Sequence, residues 1–238
     1  VLIAEGIIQT GHDVSSVLIV SPWQPKRLST LLRQRGLGWL VRRLGLTERR
    51  ASRTPSRLEV LANDFGVQSA RLDRWARRHG VPIKIVQSLN SSEVVAYLGS
   101  LNPDAVVYSG GGILRRPFIR AAGTVLNAHA GPLPEIRGMN AAEWAFLLDA
   151  RREITVHHID EGIDTGPLVS SRAIEETPSD INDLRELAVV AGVHEMVRVI
   201  REDLWRESSS FRNIERSRQC FVMAPAVKDI LSSRIRTQ

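Results

Sequence analysis

The chain has 238 residues, 43% of them apolar and 24% charged, with a single cysteine and a formal net charge of +6. This balance excludes a disordered or low-complexity protein, and one cysteine excludes both an internal disulfide framework and a cysteine-based metal site. No apolar run approaches the roughly 18–20 residues that span a bilayer and no secretory signal is visible, so a cytoplasmic protein with one α/β core is expected.

In chain order, residues 1–9 (VLIAEGIIQ) read as a helix stopped at Thr10-Gly11, and residues 17–20 as a buried strand. The positive charge is local. Ten Lys and Arg face only Glu48 between positions 26 and 57, so that segment carries +9 and the remainder about −3. Within it Leu37, Leu40, Val41 and Leu44 fall at i, i+3, i+4 and i+7, an apolar helical face with Arg42 and Arg43 beside it. A basic helical insert over 22–57 is therefore expected. It suits a solvated surface excursion, or contact with a membrane surface, RNA or a phosphorylated acceptor. No aromatic-interleaved pattern accompanies the charge, which argues against nucleic-acid readout.

Regular alternation resumes at Arg57 with a long helix over 57–79, Gly80, a strand over 82–86 and a helix over 91–100 capped by Ser91 or Ser92. A turn at Asn102-Pro103-Asp104 leads to a short strand over 105–108, then to Ser109-Gly110-Gly111-Gly112 and a helix ending at Ala122. Three glycines at a strand-to-helix junction serve either a tight turn or the close approach of backbone to a ligand. They are not a dinucleotide fingerprint, since no GxGxxG follows the first strand.

The richest stretch is 124–166. An apolar strand runs into Asn127-Ala128-His129, a Gly/Pro loop follows, then a Trp-bearing helix, a strand through Ile154, Val156 and Ile159, and the acidic turn DEGIDTG. Open α/β sheets bind ligands just outside the carboxyl ends of their strands. Singly, Asn127 caps a turn and His129 fills a core. Together, an amide can donate to a developing oxyanion, an imidazole can move protons near neutral pH, and the carboxylate of Asp164 can orient that imidazole. His157 and His158 alternate across the second strand, and adjacent strand positions diverge, so a metal reading of HHxD is rejected and no metal is expected.

Three segments, NAH (127–129), GPLPEIRG (131–138) and TVHHIDEGIDTGP (155–167), occur in an order and spacing that resembles the formyltransferases using 10-formyltetrahydrofolate. The likeness is good over about 102–176 and looser elsewhere. It implies a Rossmann-like α/β fold, a mostly parallel sheet with helices on both faces, and a catalytic trio of Asn127, His129 and Asp164. It implies that Gly110, Gly111, Gly112, Ile113, Leu114, His157, Asp160, Glu161 and Gly162 line the site of the folate co-substrate. It also implies a strand ahead of residues 1–9 that this sequence lacks. The run Gly138-Met139-Asn140-Ala141-Ala142-Glu143-Trp144 resembles the branch that formylates amino sugars. Methionyl-tRNA, glycinamide ribonucleotide, a hydrolase in which water replaces the amine, and a non-catalytic relative are the alternatives. Ala130 and Pro132 depart from the family's usual residues in the loop, outside the trio.

Beyond Pro167, residues 168–174 read as an antiparallel partner of the preceding strand, and Thr177-Pro178-Ser179-Asp180 caps a helix from Ile181 to about Trp205. The expected organisation is a catalytic domain over 1–206 and a short tail over 207–238.

Overall fold

A computed structural model describes residues 1–21, 55–67, 71–110, 112–207 and 217–237. The basic helical face expected around Leu37–Leu44 and the central Gly111 lie outside them.

The chain opens with α1 (Leu2–Gln9), which ends at Thr10 with Gly11 at φ 88, and β1 (Val17–Val20). The helix expected over 57–79 is two helices, α2 (Arg57–Asp64) and α3 (Leu72–His79). Ser56 starts α2 with a capping box closed by Glu59. Phe65 ends it, and Gly66 at φ 64 turns the chain out of the helical path. Arg57 anchors α2 through Asp183, at 2.6 Å, and Glu176.

There follow β2 (Ile83–Val86), α4 (Ser92–Leu101), β3 (Val106–Val107), α5 (Arg116–Ala122) and β4 (Val125–His129). Then come β5 (Ile136–Gly138), α6 (Ala141–Leu147), β6 (Glu153–His158), β7 (Leu168–Ala173) and α7 (Ile181–Arg201). Asp180 caps α7 by accepting from the Asn182 and Asp183 amides.

Among the described residues β3-β4-β6-β7 form one sheet, and β1 pairs with β2 in another. The β1–β2 and β3–β4 pairings are parallel, while β6 is antiparallel to both its neighbours. Period-2 alternation puts helices on both faces. Val125 faces a cluster with Val94 and Leu98 of α4 and Phe118 of α5; Leu126 faces the opposite way, onto Met196 and Val199 of α7. Val125 is 1% exposed and Leu126 0%, so each contributes the roughly 1.5–3 kcal/mol of a fully buried aliphatic side chain.

The edges of β1 and β3 face each other across a cleft of about 1190 Å³, walled by Val17–Val20 on one side and Ala105–Tyr108 on the other. Among the described residues no strand bridges it. Within the described part of the segment expected as a short tail, β8 (Arg218–Cys220) pairs in parallel with β5, and α8 (Pro225–Arg236) buries Leu231 and Ile235 against Phe146, Ile154 and Leu184. No helix among the described residues is long and apolar enough to cross a membrane.

Candidate active site

Asn127 and His129 occupy the carboxyl-terminal part of β4, His129 as its last residue, two residues apart and therefore on one face. The antiparallel register sets Asn127 opposite His157 and His129 opposite Thr155. All four side chains thus share the face turned away from α7. An irregularity in the β6–β7 register falls between Val156 and His157, the kind of local kink that re-aims a side chain beside a site.

The loop between β4 and β5 closes over this face because Thr155 holds it. Its hydroxyl donates to the Gly131 carbonyl at 2.8 Å and accepts from the Leu133 amide at 3.3 Å. The acidic turn arrives from the other side. Asp164, in the left-handed region at φ 51, accepts the Gly138 amide at Oδ2 over 2.7 Å, and Arg137 donates to the Ile163 carbonyl at 3.2 Å. Asp160 folds the turn on itself, its Oδ1 accepting from the Gly162 amide at 2.9 Å and the Thr165 hydroxyl at 2.7 Å.

Two glycines are dictated by close approach. Gly138 sits at φ 93, and a Cβ there would collide with the Cys220 carbonyl of β8. A Cβ on Gly166 would collide with the His158 carbonyl. The C-terminal segment therefore contributes to the site: it fixes Gly138, and Gly138 fixes Asp164. The Trp144 indole donating to the Phe221 carbonyl at 2.9 Å and Asn140 accepting from the Met223 amide at 3.0 Å strengthen the same contact.

Asp164 lies between two imidazoles. Its Oδ2 is 3.4 Å from His129 Nδ1 and its Oδ1 is 3.7 Å from His157 Nε2. His129 Nε2 is 2.8 Å from the Ile136 carbonyl oxygen, which can only accept, so Nε2 carries a hydrogen and a second proton would enter at Nδ1, facing Asp164. Burial pushes the His129 pKa below the ordinary imidazole value, while Asp164 opposes that shift. His157 falls to about 4, chiefly through burial and then through repulsion by His129. Both rings are sealed, at 6% and 1% exposure, whereas the Asp164 side chain keeps 19%. Asn127 is half-buried and the Asp164 carboxylate stays partly open, while the His129 ring lies buried beside that carboxylate.

The expected folate-lining residues divide. Gly110, Gly112, Ile113 and Leu114 line the β1–β3 cleft at the carboxyl end of β3, next to β4. Tyr108 closes that loop by donating to the Gly112 carbonyl at 3.0 Å, and Asn90 braces it through the Ile113 carbonyl at 2.9 Å and the Arg115 amide at 2.7 Å. Glu161 is on the surface in an ion pair with Arg116 at 3.0 Å. Asp160 and Gly162 shape the turn, and His157 is inside the sheet. Sequence reasoning passed over Thr155 and the backbone groups of Ile136, Gly138 and His158. Thr155 alone had a side-chain signal, its place in the TVHH segment.

A formyl transferase family pattern matches residues 68–197, more than half of the chain. The methionyl-tRNA formyltransferase of Anaeromyxobacter dehalogenans is 34% identical over 113 residues, 46% of this chain and 36% of that protein. That of Sphingopyxis alaskensis is 36% identical over 115 residues, 47% of this chain and 37% of that protein. The chain thus spans little more than a third of the length of these curated relatives. A sugar N-formyltransferase from a Shewanella species shares the fold, with a TM-score of 0.53 over 94% of this chain and 88% of that one at 14% identity.

Proposed function

Since the chain belongs to the formyl transferase family, we propose that it transfers a formyl group from 10-formyltetrahydrofolate to a primary amine of a small substrate, an amino sugar or sugar nucleotide. The observation that carries this reading is the convergence of Asn127, His129 and Asp164 on one face at the end of β4, inside the matched segment. The folate supplies an activated formamide, and the loop of Gly110, Gly112, Ile113 and Leu114 lies at the carboxyl end of β3, next to β4, where open α/β sheets take their ligands.

The attacking amine forms a C–N bond to the formyl carbon, whose carbonyl electrons move onto oxygen. The Asn127 amide donates to that oxygen as it becomes negative, an interaction worth about 3 kcal/mol when preorganised. The ammonium proton passes to Asp164 and His129, whose Nδ1 faces the carboxylate and can hold the proton as an imidazolium. Collapse of the tetrahedral adduct breaks the bond to N10, and the same pair returns the proton to that nitrogen. The balance is one formamide formed and one tetrahydrofolate released. No covalent intermediate on the protein is required, and Cys220, whose thiol pKa is raised by burial, is not an activated nucleophile.

The amino-sugar acceptor rests on the Gly138–Trp144 run. Met139 in that run is exposed one residue from the Gly138 amide that holds Asp164. Methionyl-tRNA is the second reading, favoured by the sequence relatives. The test is tetrahydrofolate release and formylated product with both acceptor classes, on the native chain and on Asn127→Ala. The expected result is turnover with amino sugars that falls about 10²–10³-fold in the variant while folate binding persists. Undiminished turnover in Asn127→Ala would remove the mechanism.

A further inference from the structure

His157 has the position of a folate contact in the sequence, yet it is 1% exposed, so it acts on the reaction only through a neighbour. Its hydrogen bonds define what it can do. Nδ1 lies 2.8 Å from the carbonyl oxygen of His158, which has no hydrogen to give; the ring hydrogen is therefore on Nδ1, and Nε2 presents a lone pair. The nearest polar partner of Nε2 is the side-chain amide of Asn127, at 3.4 Å. A lone pair can be met by the NH2 end of a primary amide and not by its carbonyl end. The two ends of Asn127 are nearly equal in shape, so this contact is what distinguishes them.

We propose that His157 is a positioning residue for Asn127: the lone pair on its Nε2 selects the amide orientation in which the NH2 group points into the site, leaving the second N–H to donate to the developing oxyanion. The inference rests on the function proposed above. The chain of supports runs through backbone. Close packing of Gly166 against the His158 carbonyl holds the acceptor of Nδ1, which sets the tautomer, which sets the amide. Thr155 and the β4–β6 register keep the two side chains opposite each other.

Protonation would reverse the arrangement. A hydrogen on Nε2 would attract the Asn127 carbonyl, turning the NH2 away, and would also attract Asp164 Oδ1 at 3.7 Å. Burial opposes that protonation, as does the neighbouring His129; Asp164 and Asp160 favour it. The device therefore works with His157 neutral, and it fails on the acid side.

The experiment is steady-state kinetics of the full chain with 10-formyltetrahydrofolate and an amino-sugar acceptor, for native protein, His157→Leu, His157→Gln and both changes in an Asn127→Ala background. A folded state is checked by thermal melting. His157→Leu should lower kcat by about 10–100-fold, a fraction of what losing an oxyanion donor costs, with KM for the formyl donor within about threefold of native. His157→Gln, whose carbonyl can stand where Nε2 stood, should restore most of that loss. In the Asn127→Ala background His157→Leu should have little further effect, since its target is gone. An unchanged kcat, a loss expressed in KM alone, or the full loss repeated without Asn127 would each overturn the assignment. If His157→Leu does not fold, His157→Met takes its place in the same comparison. A native chain that turns over no formyl donor removes the proposed function and this role with it; a native chain that turns over and ignores His157 removes this role alone.

Discussion

Asp164→Asn changes charge with almost no change in shape, and its effect can be worked from the site. The new amide oxygen can still accept the Gly138 amide now held at 2.7 Å, so the acidic turn stays in place and folding stability should shift by no more than about 1 kcal/mol. What disappears is the negative charge 3.4 Å from His129 Nδ1. At an effective dielectric of ~20 that pair is worth about 5 kcal/mol for an imidazolium, between three and four decades of rate if the full charge develops in the transition state. General acid–base catalysis contributes 10²–10⁴-fold in practice, which agrees. The direction is also fixed. Asp164 is what raises the His129 pKa against burial, so without it His129 holds a proton less well. A single-turnover assay of tetrahydrofolate release should show kcat lower by about 10²–10⁴ with folate affinity retained. A loss smaller than threefold in a folded variant would refute the proton-holding role of the pair.

Gly138→Ala should cost about 1–2 kcal/mol for its positive φ, and more because the Cβ meets the Cys220 carbonyl; urea unfolding should show the loss, with activity falling because Asp164 loses its anchor. Leu231→Ala should cost about 2–5 kcal/mol, since the side chain is 0% exposed in the main core; a shift under about 1 kcal/mol would mean that α8 is not part of it. Stability should also fall on acidification. Unfolded imidazole binds a proton below its ordinary pKa of 6.5, whereas folded His157 resists until about pH 4, so its contribution is complete above 6.5 and lost as pH drops through that window. The difference is worth about 3 kcal/mol, and urea midpoints at pH 7 and pH 4.5 should register most of it, with a smaller drop in His157→Gln.

The sequence made the site's side chains readable because their spacing survives folding. Asn127 and His129 are two apart on a strand, and period 2 puts them on one face whatever the rest of the chain does. What brings His157 to Asn127 is the β4–β6 register, a pairing 30 residues apart that no local pattern encodes. The atoms that set the tautomers are carbonyls of Ile136 and His158, and the anchor of Asp164 is the Gly138 amide. Backbone groups leave no signature in residue types. Periodicity carried the reading of one helix over 57–79 past Gly66, where a left-handed residue breaks it. The order in 218–236 was hidden for another reason: β8 is three residues long and owes its pairing to β5, far away in sequence.

The measurement that bears most directly on the account is release of tetrahydrofolate from 10-formyltetrahydrofolate by the native chain, with amine acceptors varied and a control without acceptor. The account predicts release that depends on an amino sugar or sugar nucleotide, matched mole for mole by a formylated amine. Release at the same rate without any acceptor would contradict transfer in favour of hydrolysis. Folded protein that binds a stable folate analogue and releases nothing with any acceptor would contradict the catalytic reading of Asn127, His129 and Asp164.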